Sequence, residues 1–335
     1  MTTGALLVGL GSIGRRHLGL VRELLPDADI SVLRHSPNAP TDEQCSRLAD
    51  RVVCHFEEAV AHAPAFAIIA TPAPFHVETA LRLADRGVHL LLEKPLSDRL
   101  DGVQELLDVC RRRQLVLMVA YVLRHHRSVQ ALRSAIQSGR IGRVLGMRAD
   151  AGQYLPEWRP GRDYRETPSA RKQLGGGALL ELSHEIDYAR WLLGEVTSVQ
   201  ATLARLGDLD LDVEDWAELT LRFAGGAVGS IHLDMLQRSP TRTCRVLGTE
   251  GTLAWDSQDP QVRLYSAGSG QWTDLDLPAP VERNAMYRAQ LQHFLACVAG
   301  RASPCASGED GKRVLEVVLA ARESAALGKT VELSG

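Results

Sequence analysis

The stretch ALLVGLGSIGRRHLGL, residues 5–20, runs from an apolar strand through three spaced glycines into a helix. Ala5 to Gly9 is apolar without alternation, the pattern of a strand buried on both faces. Gly9, Gly11 and Gly14 stand in GxGxxG spacing. The first permits a tight turn, the second lets backbone approach a pyrophosphate, and the third allows close helix–strand packing. The helix predicted over 13–25 offers its N-terminal N–H groups and dipole to the phosphates, with Ser12 and Ile13 in the same turn. A purely structural turn could carry the same spacing. Its place after the first strand of a strand–helix–strand pattern favours a dinucleotide.

Outward from that turn, apolar strands are predicted at 30–34, 66–70, 88–92 and 115–120, with a short one near 52–54. Helical stretches such as 75–86 and 99–113 separate them. Such alternation implies a parallel sheet covered on both faces, an N-terminal Rossmann doubly wound domain. The second strand ends Leu33-Arg34-His35-Ser36, where an acidic residue would bind the adenosine 2′-hydroxyl. No acid is present, and Arg34 and Ser36 suit a 2′-phosphate instead. NADP is therefore favoured, while Arg34 stacked on adenine would leave NAD open.

After residue 123 the pattern changes. Ala217, Leu219, Leu221 and Phe223 alternate with Glu218, Thr220 and Arg222, and a Gly225-Gly226 turn leads to a second alternating run, 231–235. That is a hairpin of a one-sided antiparallel sheet. Helices are predicted over 285–299 and 309–327. The expected division is 1–123 for the Rossmann domain and 124–335 for an α/β domain with a large open, mainly antiparallel sheet. The sheet's second face needs cover, so a homodimer or homotetramer is expected.

Composition closes off other classes. The chain has 335 residues, 45% apolar and 24% charged, with 38 basic against 41 acidic side chains, which are globular proportions. A formal charge of −3 does not suit a nucleic-acid binder. The longest apolar run, 115–123, is far short of the roughly 20 residues a membrane span needs. Six cysteines at 45, 54, 110, 244, 297 and 305 form no CxxC pair, so no metal site is expected and a cytoplasmic location is. Lysine occurs only at 94, 172, 312 and 329.

Further motifs follow in order: Ala70-Thr71-Pro72-Ala73-Pro74-Phe75-His76, Glu93-Lys94-Pro95, Gly175-Gly176-Gly177 through Glu181, His184 and Asp187, then Val213-Glu214-Asp215 and Gly248 to Gly251. The order resembles the Gfo/Idh/MocA oxidoreductases nearly end to end. The resemblance implies that Ala70, Thr71, Pro72, His76 and Glu93 border the cofactor. It implies that Lys94 lies beside the nicotinamide and stabilises the substrate oxygen. It also implies that His184 is the general acid–base. Many members place an acid four residues before that histidine. Here Glu181 precedes it by three, and Asp187 follows by three. On one continuous helix, Glu181, His184, Asp187 and Tyr188 would share one face, and either carboxylate could assist the imidazole.

Two segments are expected at the pocket mouth: Tyr121, Arg124 and His125 at the end of the last parallel strand, and the stretch containing Tyr154, Trp158, Arg159, Arg162 and Tyr164. Aromatic faces suit a sugar or cyclitol, and arginines suit anionic groups. Arginines at 159, 162, 165 and 171 with Lys172 suggest an anionic or nucleotide-linked substrate, or else a loop paired to itself. The expected activity is hydride transfer between NAD(P) and a secondary hydroxyl of a sugar, sugar acid, nucleotide sugar or cyclitol. Lys94 and His184 would meet across the interdomain cleft. The alternatives are a non-redox enzyme that oxidises its substrate transiently with bound NAD, and a non-catalytic NAD(P)-binding sensor.

Overall fold

A computed structural model describes residues 3–34, 43–259, 261–277 and 284–333. The chain forms two compact units, Met1–Val122 with Arg283–Lys312, and Leu123–Glu282 with Arg313–Gly335.

In the first unit, β1 (Gly4–Val8), α1 (Ser12–Leu24), β2 (Asp29–Leu33), α2 (Glu43–Leu48), β3 (Arg51–Val53), α3 (Phe56–Ala61) and β4 (Phe66–Ile69) follow in turn. A single 3₁₀ turn leads to α4 (His76–Ala84), followed by β5 (His89–Leu92), α5 (Val103–Arg112) and β6 (Leu117–Val119). The sheet order is β3-β2-β1-β4-β5-β6, and every pairing is parallel. This is the doubly wound order whose crossover places the ligand site at the carboxyl ends of β1 and β4. Ala5 to Val8 and Phe66 to Ile69 are buried throughout, which explains why these strands show no alternation.

The second unit contains α6 (Arg127–Gln137), β7 (Val144–Gly152), α7 (Ala178–Glu181), α8 (His184–Leu193), β8 (Val196–Ala204), β9 (Trp216–Phe223), β10 (Val228–Asp234), β11 (Thr241–Gly248), β12 (Gly251–Asp256), β13 (Val262–Ser266) and β14 (Gln271–Asp274). After α9 (Ala285–Val298) and α10 (Gly308–Leu327), β15 (Val331–Glu332) completes a nine-stranded sheet, β14-β13-β12-β11-β7-β10-β9-β8-β15. Its pairs are antiparallel except β7 with β10. The β9–β10 hairpin turns at Gly226, whose φ of +84° favours glycine. Ala217, Leu219, Leu221, Phe223, Ile231 and Leu233 are buried, and α8 lies against β7 and β10.

One expectation needs correction. The sequence reading assigns everything after 123 to the second domain, but α9 belongs to the first unit. Its Leu291 and Phe294 are buried in the Rossmann core, and Phe294 meets Phe66 edge-on at 5.7 Å between ring centroids. An Arg288–Glu23 ion pair of 2.7 Å ties α9 to α1.

Candidate functional site

The glycine turn has the shape of a phosphate cradle. A Cβ on Gly14 would lie 2.2 Å from the Gly9 carbonyl oxygen, and one on Gly9 would lie 2.9 Å from that of Ala70. Both positions are closed to larger residues by backbone. A Cβ on Gly11 would meet nothing within 4 Å, and Gly11 and Ser12 are exposed. Ile13 is partly exposed beside them. Helix α1 begins with no side-chain cap and no acid in its first turn. Its first N–H groups are therefore available to an anion, and the residues present fit a dinucleotide pyrophosphate. Arg34 at the end of β2 is partly exposed, while His35 and Ser36 lie outside the described residues.

Ala70, Thr71 and Pro72 leave β4 beside this cradle. His76 does not present its ring to a ligand. It is 1% exposed, with Nδ1 2.9 Å from the Pro95 carbonyl and Nε2 2.7 Å from that of Thr71. It is a strut between the loops after β4 and β5. Burial lowers its pKa, although the two carbonyls pull the other way. Lys94 is partly exposed and its peptide to Pro95 is cis. The Lys94 backbone N–H donates to Glu93 Oε2 at 3.2 Å, and Glu93 Oε1 lies 2.7 Å from His17 Nε2. Tyr121, after β6, is fully buried.

His17 is absent from the sequence-predicted set. A signal was present: Gly14, His17, Leu18 and Val21 form the buried stripe of α1, so an imidazole stands where an apolar residue is expected.

In the second unit, the Gly175–Gly177 turn is crowded. A Cβ on Gly176 would lie 2.5 Å from the carbonyl oxygens of Pro168 and Ser169, and one on Gly177 2.3 Å from Glu214 Oε1. Glu214 accepts the Leu179 N–H at 3.2 Å, which caps α7, and burial raises its pKa. The continuous helix expected from Glu181 through Asp187 is broken. Helix α7 ends at Glu181, Leu182 and Ser183 intervene, and His184 is the first residue of α8. The shared face inferred from helical spacing therefore does not hold.

The carboxylates on either side of His184 have different surroundings. Glu181 is partly exposed and accepts a hydrogen bond from Ser169 Oγ at 2.8 Å, while Arg159 donates to that same oxygen at 3.3 Å. Asp187 is fully buried against Arg124, with Nη2–Oδ1 2.6 Å and Nε–Oδ2 3.0 Å. Arg124, expected at a pocket mouth, is itself 3% exposed, because a buried carboxylate needs a counter-charge. His125 is partly exposed.

Four short 3₁₀ turns, Leu155–Glu157, Tyr164–Glu166, Pro168–Ala170 and Lys172–Leu174, punctuate the loop that follows β7. Arg238 stacks on Tyr154 at 3.6 Å, Trp158 donates to the Gln153 carbonyl, and Tyr164 Oη accepts the Asp210 N–H. Arg162 is exposed. Arg165 is spent on Asp163, whose carboxyl it holds down at about 2, and Arg171 binds the Arg165 carbonyl. The self-paired alternative thus describes Arg165 and Arg171. Among the described residues, no three His, Cys, Asp or Glu side chains are grouped to hold a metal ion, and no helix is long and apolar enough to cross a membrane.

Comparison with known proteins adds descent to this geometry. Residues 3–121 match an oxidoreductase family with an NAD-binding Rossmann fold, and residues 129–254 match a GFO/IDH/MocA C-terminal domain. A 1,5-anhydro-D-fructose reductase of Ensifer adhaerens is 29% identical over 277 residues, 79% of this chain and 78% of its own. A levoglucosan dehydrogenase of Pseudarthrobacter phenanthrenivorans is 31% identical over 214 residues, 56% of this chain and 54% of its own. A levoglucosan dehydrogenase solved with NADH superposes over the whole of both chains with a TM-score of 0.89 at 23% identity, a likeness of fold. With both halves matched in order, one on the segment of the glycine cradle and the other on that of the His184 turn, the chain belongs to the Gfo/Idh/MocA family of oxidoreductases.

Proposed function

We propose that this protein interconverts a secondary hydroxyl and a carbonyl on a sugar or cyclitol. The observation that carries this reading is the sheet edge that bears both the Gly9–Gly14 cradle and the clamped Lys94 turn. When bound, the nicotinamide cofactor supplies or accepts the hydride. Lys94 stabilises the negative charge that develops on the substrate oxygen, and His184 exchanges the hydroxyl proton. Because Arg165 and Arg171 are already paired, an uncharged ring is favoured over an anionic one. The similar proteins include a 1,5-anhydro-D-fructose reductase and a levoglucosan dehydrogenase, and also a reductase of a dTDP-linked sugar, so the charged classes stay in the screen. A screen of neutral, acidic and nucleotide-linked sugars with both cofactors tests this. Stoichiometric change in reduced-nicotinamide absorbance supports redox turnover. Product without net cofactor change would indicate transient oxidation instead, and binding without product a sensor.

NADP(H) is expected to bind more tightly than NAD(H), because Arg34 stands where an acid would repel a 2′-phosphate. Losing one charged contact of this kind costs about 1.5–3 kcal/mol, or roughly 10- to 150-fold in affinity. Titration of both cofactors against wild type and Arg34→Ala checks it. Equal affinity for the two, or no effect of the substitution, rejects the assignment.

A homo-oligomer built on the outer sheet face is also expected. Strand register places Glu218, His232, Asp150, Thr243 and Asp256 in one row. Two residues along lies a second row, Ser230, Arg148, Arg245, Ala254 and Arg263. His232 lies 2.8 Å from both Glu218 and Asp234, and its bond to Asp234 raises its pKa. A two-fold axis running between the rows sets the acidic row of one copy on the basic row of the other. Light scattering at micromolar concentration should show a dimer or tetramer, weakened by Arg245→Glu. A wild-type monomer excludes it. The six cysteines are free thiols, which fits a cytoplasmic setting.

A further inference from the structure

His17 is fully buried in α1, far from bulk water, yet it is the side chain on which the Lys94 turn is hung. Its Nε2 lies 2.7 Å from Glu93 Oε1. Its Nδ1 is buried with no hydrogen-bond partner among the described residues. The ring is therefore held through Nε2, whose N–H donates to the Glu93 side chain. The other carboxylate oxygen accepts the Lys94 backbone N–H at 3.2 Å. Glu93 is 9% exposed and its own N–H donates to Ile69 in β4 at 2.8 Å, so its backbone is fixed by the sheet and its side chain by His17.

This chain of bonds begins in the helix that starts at the glycine cradle and ends at the peptide from which the lysine projects. Packing alone does not call for it, because a leucine would fill the α1 stripe without a buried polar atom left over. We propose that His17 is a positioning residue for Lys94, acting through the Glu93 carboxylate. The role of the lysine rests on the oxidoreductase reading above, but its placement does not.

The scarcity of lysine makes a direct test practical. With lysines only at 94, 172, 312 and 329, a spectrum of isotope-labelled lysine side chains contains four resonances, and Lys94→Arg identifies the one from Lys94. His17→Phe keeps a ring in the helix stripe and removes the bond to Glu93. It should move or broaden the Lys94 resonance and leave the other three in place. His17→Gln, whose amide can donate to the same oxygen, should restore it. In turnover, His17→Phe should lower kcat about 10- to 100-fold with KM and cofactor affinity unchanged, the signature of a misplaced group and not of a lost binding contact. Should His17→Phe fail to fold, Glu93→Ala removes the same link from its other end and must move the same resonance. A Lys94 resonance in His17→Phe that superimposes on wild type overturns the proposal, as does one that His17→Gln fails to restore. Absence of turnover in the wild type would reject the oxidoreductase reading and leave the resonance test standing.

Discussion

Asp187→Ala should cost about 3–5 kcal/mol of stability, the range for removing one partner of a buried ion pair. The side chains of Arg124 and Asp187 are 2% and 0% exposed, so the remaining guanidinium would lose its counter-charge with no water to replace it. For a unit of this size that loss corresponds to a melting temperature lower by roughly 6–20 °C. Gln130 holds the Arg124 carbonyl and Trp191 faces its guanidinium, so the arginine is not free to swing out. Most of the cost comes from the charge left behind, not from the pair's net worth. Arg124→Met combined with Asp187→Leu should therefore recover much of the stability. Denaturant unfolding of the three variants checks this. A loss of under about 1 kcal/mol for Asp187→Ala, the value of an exposed pair, would show that solvent reaches the site.

That pair also marks the limit of what sequence reading can reach. The turn from Gly9 to Gly14 could be read because its chemistry is local: each glycine answers a clash or an approach within a few residues of itself. The β9–β10 hairpin could be read because one buried face imposes alternation. Arg124 and Asp187 are 63 residues apart, and His17 and Glu93 are 76 apart. Nothing in either neighbourhood names the other. The break between α7 and α8 was hidden for a different reason. Residues 178–193 carry no proline or glycine, so nothing in the local sequence marks the interruption at Leu182 and Ser183. Helix α9 shows the same limit at larger scale. Its pattern states that an apolar face must be covered, and the partner, the Rossmann core around Phe66, is given only by the fold.

Lys94→Ala and His184→Ala should each lower turnover ~100-fold or more while leaving a folded protein that still binds cofactor. For Lys94 the expectation rests on a lysine at the carboxyl end of β5 whose backbone N–H is held by Glu93 and whose following residue, Pro95, is held by the His76 strut. Truncation removes the positive charge without touching the glycine cradle, so cofactor affinity reports that the binding turn is intact. For His184 it rests on a partly exposed imidazole at the first position of α8, with Ser183 and Glu185 buried on either side. Its truncation removes the proposed proton carrier and leaves the Glu214 cap and the Arg124–Asp187 pair in place, so the melting temperature should hold. Thermal melting, cofactor titration and turnover on the same preparations separate these effects. Near-normal turnover in His184→Ala would move the acid–base role to Glu181, which is partly exposed, or to Tyr121 or Asp187, which are buried. Near-normal turnover in Lys94→Ala would remove the group on which the proposed chemistry depends, and the protein would then have to stabilise its substrate oxygen by some other donor.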